Sequence, residues 1–217
     1  MNCPLCLSSQ TALFLEGDQR EYQACSVCAL IFVPSSHHLP LDEERARYLE
    51  HENSLDNPGY VNMFQKKIDL LQLHCPNITR ILDYGCGYEP VLKALLKRAG
   101  FQAEGFDPYF FQEWDKNARY DLVISTETVE HFSQPGKELQ TMLSALAPRG
   151  YLALMTRFYP SRDREHDRDA FSDWYYKRDP THVAFYGPAT FDWIADALAL
   201  KIIHTNDFDF IIMQKTL

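Results

Sequence analysis

The chain reads as an α/β protein with a mostly parallel sheet, and three features of the sequence point there. From Arg80 onward short apolar runs alternate with helical stretches, the pattern of strand–helix–strand units. The first of these runs, Ile81-Leu82-Asp83-Tyr84, breaks into Gly85-Cys86-Gly87, and the next one ends in a carboxylate, Asp107. That order lays a nucleotide-like ligand across the carboxyl ends of two neighbouring parallel strands. Ahead of all this, Cys3, Cys6, Cys25 and Cys28 form two Cys-x2-Cys pairs, which set apart a small N-terminal segment.

Taken in order, residues 12–15 and 30–33 read as short strands in the cysteine segment, and 42–51 as a helix of mixed charge. Asn57-Pro58-Gly59 is a turn, followed by an amphipathic helix over 60–74 with Val61, Phe64, Ile68 and Leu71 at helical spacing. Strand 81–84 leads to a helix over 91–99, stopped by Gly100. Strands 103–106 and 120–125 come next, then a helix over 137–146 that halts at Pro148-Arg149-Gly150 before strand 151–155. A helix over 190–200 precedes strands 201–204 and 208–213. The turn between the last two is too short for a crossover, so the final strand is expected to be antiparallel. The stretch from Asp107 to Tyr120 is too short for a helix–strand–helix, so one unit of the usual sheet is shortened or missing. The expected organisation is 1–38, a small metal-held segment; 39–76, helices covering the ligand; and 77–217, the ligand-binding domain.

Composition narrows the function classes. A hydrophobic fraction of 46% with 13% aromatics supports an ordinary core in a chain of 217 residues. The formal charge of −9 argues against a broad nucleic-acid surface, and residues 1–34 carry a single basic side chain, Arg20. A small-molecule substrate is therefore expected. No apolar run reaches bilayer length, and the first residues show no signal-peptide pattern. The expected compartment is a reducing cytoplasm, where the six cysteines do not form a disulfide framework.

In the glycine loop, Gly85 and Gly87 allow a tight turn and close backbone approach, and Asp107 is placed to accept ribose hydroxyls. A dinucleotide fingerprint would need glycine where Pro90 stands, and Glu89 puts a negative charge where a pyrophosphate would sit. Together with Tyr120-Asp121-Leu122-Val123-Ile124-Ser125, Thr126-Glu127-Thr128-Val129-Glu130-His131-Phe132 and Leu146-Ala147-Pro148-Arg149-Gly150, these residues resemble a class I S-adenosylmethionine-dependent methyltransferase over roughly 60–217. The resemblance implies a Rossmann-like sheet and S-adenosylmethionine as cofactor. It also implies that Asp83, Gly85, Cys86 and Gly87 line the methionine portion, Asp107 the ribose, Pro108 and Tyr109 the adenine, and that Thr126 and Glu127 close the site. Position 89 departs from the family, where glycine is frequent. Glu89 either crowds the methionine end or contacts its ammonium, or it is an exposed carboxylate at a helix start.

The cysteine spacing matches a Cys₄ zinc ribbon with a structural ion, since a segment this short has too little core to fold unaided. Cys75 and Cys86 fall outside the pattern. A ribbon before such a domain, with Cys25-Ser26-Val27-Cys28 and Asn57-Pro58-Gly59-Tyr60, is similar to a bacterial group that includes sugar C-methyltransferases.

For the chemistry, Glu127, Glu130 and His131 lie at i, i+3 and i+4 after a strand, and His182 follows in Arg178-Asp179-Pro180-Thr181-His182. Two readings assign them functions. In one, His131 or His182 is a general base beside Glu130, for a hydroxyl or an activated carbon. In the other, Glu127, Glu130, His131 and His182 bind a second divalent metal, since the set resembles metal-dependent O-methyltransferases of small RNA and of quinone biosynthesis. The plain alternative is that Glu127 touches the cofactor, Glu130 starts a helix and His131 packs. Charged and aromatic residues over 159–169 and 174–178 are either a solvated loop or a substrate-recognition insertion. A binding module that kept the fold but lost transfer is the remaining class.

Overall fold

The computed structural model describes residues 1–50, 54–159 and 167–216. The chain opens with β1 (Thr11–Gly17), β2 (Arg20–Cys25) and β3 (Ile31–Phe32), then α1 (Leu41–Tyr48) and α2 (Pro58–His74). β4 (Arg80–Tyr84), α3 (Val91–Arg98), β5 (Gln102–Phe106), β6 (Tyr120–Thr126), α4 (Pro135–Ala145) and β7 (Leu146–Met155) follow. The last part holds α5 (Arg168–Asp173), β8 (Ala184–Phe185), α6 (Pro188–Ala197), β9 (Leu200–Thr205) and β10 (Phe210–Lys215).

Six strands form the main sheet in the order β5-β4-β6-β7-β10-β9, parallel through β7, with β10 antiparallel to both β7 and β9. β5 is the edge strand, so the shortened stretch before Tyr120 leaves out the strand that would lie beyond it. β4 and β6 are buried on both faces, as parallel central strands require. One face packs Ile81, Leu122 and Ile124 against Phe64, Ile68 and Leu71 of α2 and the apolar side of α3. Asn57 caps α2 by accepting the Tyr60 N–H at 3.1 Å, with Pro58 in its first turn.

The opposite face carries α4 and α6, and here the cysteine segment enters the core. Cys3, Leu5, Cys25, Cys28 and Leu30 pack with Leu82, Leu139, Leu152 and Phe191. A second sheet runs β1-β2-β3-β8, so its fourth strand comes from the other end of the chain. The N-terminal segment is thus stitched into the domain through Ile31↔Phe185 and Phe32↔Ala184.

Several expectations shift. β2 was not anticipated, because Arg20-Glu21-Tyr22-Gln23 carries little apolar signal. β7 runs straight through Pro148-Arg149-Gly150, with Arg149 at φ 61 and a register shift against β6, where a stop was expected. Val129–His131 is a single 3-10 turn rather than the start of a helix. The end of the expected 42–51 helix and most of the 159–169 segment lie outside the described residues.

Candidate active site

The main cleft lies over the carboxyl ends of β4, β5 and β6, where the chain leaves β4 first to one side and then to the other. Its volume is about 840 Å³, toward the upper end for small-molecule sites. Every cofactor-side residue named from the sequence lines it: Asp83, Gly85, Cys86, Gly87, Asp107, Pro108, Thr126 and Glu127. So do Glu130, His131 and His182.

The loop after β4 is tied to β5. Gly85 and Cys86 donate to the Phe106 carbonyl at 2.7 and 3.0 Å, and Gly87 donates to Asp107 Oδ2 at 3.0 Å. Gly85 sits at φ 85, and a Cβ there would run into the Thr128 side chain. Gly87 is also left-handed, at φ 67, and faces open space. Asp107 Oδ1 accepts from the Tyr109 and Phe110 N–H groups at 2.9 and 3.2 Å, which fixes the carboxylate while leaving lone pairs on both oxygens. Burial still holds its pKa above the usual carboxylate value. Burial pushes the Cys86 thiol well up, which disfavours the thiolate. Glu89 is exposed and does not line the cleft, so it stands as a helix-start carboxylate.

Asp83 is the electrostatic anomaly. It is 1% exposed, and neither oxygen has a hydrogen-bond partner among the described residues. Burial raises its pKa to about 7, and the nearby Lys93 main chain only moderates that shift. Three other carboxylates around the cleft are held by named partners. Glu44 accepts from Tyr48 and Tyr109 hydroxyls, Glu138 from Tyr84, and Asp209 pairs with Lys67. Arg157 is the one Lys or Arg side chain lining the cleft among the described residues. The cleft suits a ligand with positive charge.

At the other end, Glu130 is fully buried with Oε2 unpartnered, while Oε1 accepts from the Tyr176 hydroxyl at 2.5 Å. Burial raises the pKa of both Glu127 and Glu130, and the Glu127 charge raises Glu130 further. His182 Nδ1 lies 2.7 Å from the Tyr176 carbonyl and His131 Nδ1 lies 3.1 Å from the Thr181 carbonyl. A carbonyl only accepts, so both Nδ1 atoms carry hydrogen and the neutral rings have their lone pairs on Nε2. Glu130, His131 and His182 each offer a ligand atom within 4.8 Å of the others; Glu127, expected fourth, is not in that group. It follows β6 at φ 49, and its Oε2 lies 3.4 Å from the Tyr176 hydroxyl that also donates to Glu130.

Two contacts at this end carry no local sequence signal: the Tyr176 hydroxyl on Glu130, and Tyr48 of α1 edge-on against His131 at 5.1 Å. Within the 174–178 stretch Tyr176 and Lys177 are buried, while Tyr175 and Arg178 are exposed.

Away from the cleft, the four cysteine sulfurs converge. Cys3–Cys28 and Cys6–Cys25 Sγ atoms are each 3.5 Å apart, and all four lie within 4.8 Å of one another. A tetrahedron of ~2.3 Å Zn–S bonds has edges of ~3.8 Å, so the donor set suits a divalent zinc ion. The two knuckles match: Leu7 donates to the Cys3 carbonyl and Ala29 to the Cys25 carbonyl, with Leu7 and Ala29 at φ 62 and 57.

Comparison with solved structures returns the same fold. An O-methyltransferase family protein from Burkholderia thailandensis matches at TM-score 0.53 and 15% identity over 80% of this chain, which spans 63% of that one. A SAM-dependent methyltransferase from Aquifex aeolicus matches at 0.51 and 14% over 79% of this chain and 98% of that one. The N-methyltransferase NodS from Bradyrhizobium japonicum, solved with S-adenosyl-L-homocysteine, matches at 0.52 and 13% over 81% and 98%. Identities this low speak for fold alone. No curated protein matches in sequence. No helix among the described residues is long and apolar enough to cross a membrane. A family model described as a methyltransferase domain matches residues 39–205, most of the chain, and the chain therefore belongs to the methyltransferase-domain family.

Proposed function

We propose that the protein is an S-adenosylmethionine-dependent methyltransferase acting on a small molecule through a hydroxyl or carbon acceptor, sugar-like or aromatic. The observation that carries the reading is Asp83: a buried carboxylate without a partner, beside the Gly85–Gly87 loop in an acidic cleft, suits a ligand that brings an ammonium and a sulfonium. When bound, S-adenosylmethionine supplies a methyl group that an acceptor atom takes by in-line displacement. Asp83 holds the ammonium end, the glycine-loop main chain approaches the methionine portion, and Asp107 accepts from the ribose. Pro108 and Tyr109 face the adenine, and Thr126 and Glu127 close the site.

In the acceptor half, His182 or His131 takes the acceptor's proton on Nε2. The carbonyl behind each ring fixes the tautomer that can do so. Glu130 lies beside them and balances the imidazolium that forms. The cysteine cluster binds a structural zinc. Methyl transfer from isotopically labelled S-adenosylmethionine to a panel of small hydroxyl and carbon acids tests the reading. Loss of transfer in His131→Ala and His182→Ala, with cofactor affinity retained, is the expected pattern.

A second reading is favoured by the closeness of Glu130, His131 and His182: a divalent ion held there would lower a hydroxyl's pKa, as in metal-assisted O-methyl transfer. Backing of each ring by a carbonyl is the usual arrangement behind metal-bound histidine. Zinc as the sole bound metal, with activity unmoved by added magnesium or manganese, would sink it.

A further inference from the structure

β2 links two parts of the molecule that a function must connect. Cys25 ends it at the cysteine cluster, and Arg20 begins it roughly 17 Å away at strand rise. Asp18 and Gln19, at φ 51 and 61, make a two-residue turn of the type that matches strand twist. This turn carries Arg20 onto the segment between Tyr176 and His182.

Arg20 is buried there, and its bonds are unusual for a buried guanidinium. Nη1 donates to the Pro180 and His182 carbonyls at 3.2 and 3.0 Å, Nη2 to the Asp179 carbonyl at 3.0 Å and to the Lys177 carbonyl. Nε donates to the Tyr22 hydroxyl at 2.9 Å. All its N–H donors are thereby used, and no carboxylate lies at ion-pair distance among the described residues. The main chain it grips is the one on which the acceptor half depends. The Tyr176 carbonyl holds His182, the Thr181 carbonyl holds His131, and Val183 donates to the Glu130 carbonyl at 2.8 Å.

We propose that Arg20 is a positioning residue of the transfer site, fixing the backbone of residues 177–182 so that Tyr176 and His182 meet Glu130 and His131. The inference rests on reading the cleft as a methyltransferase site. It makes the cysteine-held hairpin part of the acceptor half, with the metal at one end of β2 and the grip at the other. Lysine cannot replace arginine here, because a single ammonium cannot span carbonyls laid out along a segment.

The test compares full-length Arg20→Lys with the unaltered protein. Zinc content and S-adenosylhomocysteine affinity are expected to stay within about threefold, since neither site touches Arg20. Amide exchange over 177–183 is expected to quicken about tenfold or more, and nitrogen spectra of His182 to lose the single Nδ1–H tautomer. Unchanged exchange and an unchanged tautomer in the variant would overturn the proposal. Should the variant not fold, the unaltered protein decides: Arg20 guanidinium protons should exchange about tenfold more slowly than those of exposed Arg98, and equal rates would overturn it. Failure of the unaltered protein to bind S-adenosylhomocysteine would reject the methyltransferase reading instead, a separate result.

Discussion

Asp83→Asn should make the ligand-free protein more stable at neutral pH while crippling cofactor binding. Burial lifts the Asp83 pKa from 3.8 to about 7, so folding favours the protonated acid. Its contribution to stability is present at low pH and is lost as pH rises through about 7. Between pH 5 and pH 8 the native acid sheds a proton that the unfolded chain has already lost, which at ~1.4 kcal/mol per unit over about two units costs roughly 3 kcal/mol. Water penetration would reduce this, so a gap of ~1.5–3 kcal/mol is the working figure. Asparagine cannot ionise, and the other groups titrate alike in both proteins. Urea unfolding of both at pH 5 and pH 8 should therefore show the variant gaining that amount relative to the parent at the higher pH. Calorimetry with S-adenosylmethionine should show a loss of roughly 10–100-fold, the worth of one charged hydrogen bond. In the parent, binding near pH 7 should also release about half a proton, read from buffers of different ionisation enthalpy, and the variant should release none. Identical pH slopes for the two proteins, together with undiminished binding, would refute the reasoning.

Gly85→Ala should cost ~2–4 kcal/mol, combining a left-handed backbone with the collision against Thr128, whereas Gly87→Ala should cost ~1 kcal/mol because only the backbone is strained. Thermal melts check the order, and Thr128→Ala combined with Gly85→Ala should recover part of the loss. Cys25→Ser should release zinc and lower stability by ~3 kcal/mol or more, measured by metal analysis and melting together. Lys67→Met should destabilise by ~2–3 kcal/mol in urea unfolding, since among the described residues it leaves Asp209 the Asn206 amide at 2.7 Å and no cation.

What the sequence made legible was local. The glycine loop, Asp107 and the Cys-x2-Cys knuckles each need particular residue types within a few positions, so their spacing alone announces them. The missing strand beyond β5 could be read too, because chain length between Asp107 and Tyr120 limits what fits. The acceptor half was only half legible. Glu130, His131 and His182 stood out as residue types, but the helical face expected to carry Glu127 with them is replaced by a left-handed residue and a 3-10 turn. Tyr176 and Arg20 were invisible in their roles. Arg20 contacts carbonyls some 160 residues away in sequence, and its partners are main-chain atoms that every residue type offers. The two-residue strand β8 has no periodicity to detect; only its pairing with β3 defines it.

Cofactor binding is the central claim, and equilibrium calorimetry of zinc-loaded protein with S-adenosylmethionine measures it. One saturable site per chain, weakened strongly by Asp107→Ala as well as by Asp83→Asn, is the predicted result. Intact, zinc-loaded protein that shows no binding would contradict the enzyme reading and leave a fold kept for some other ligand.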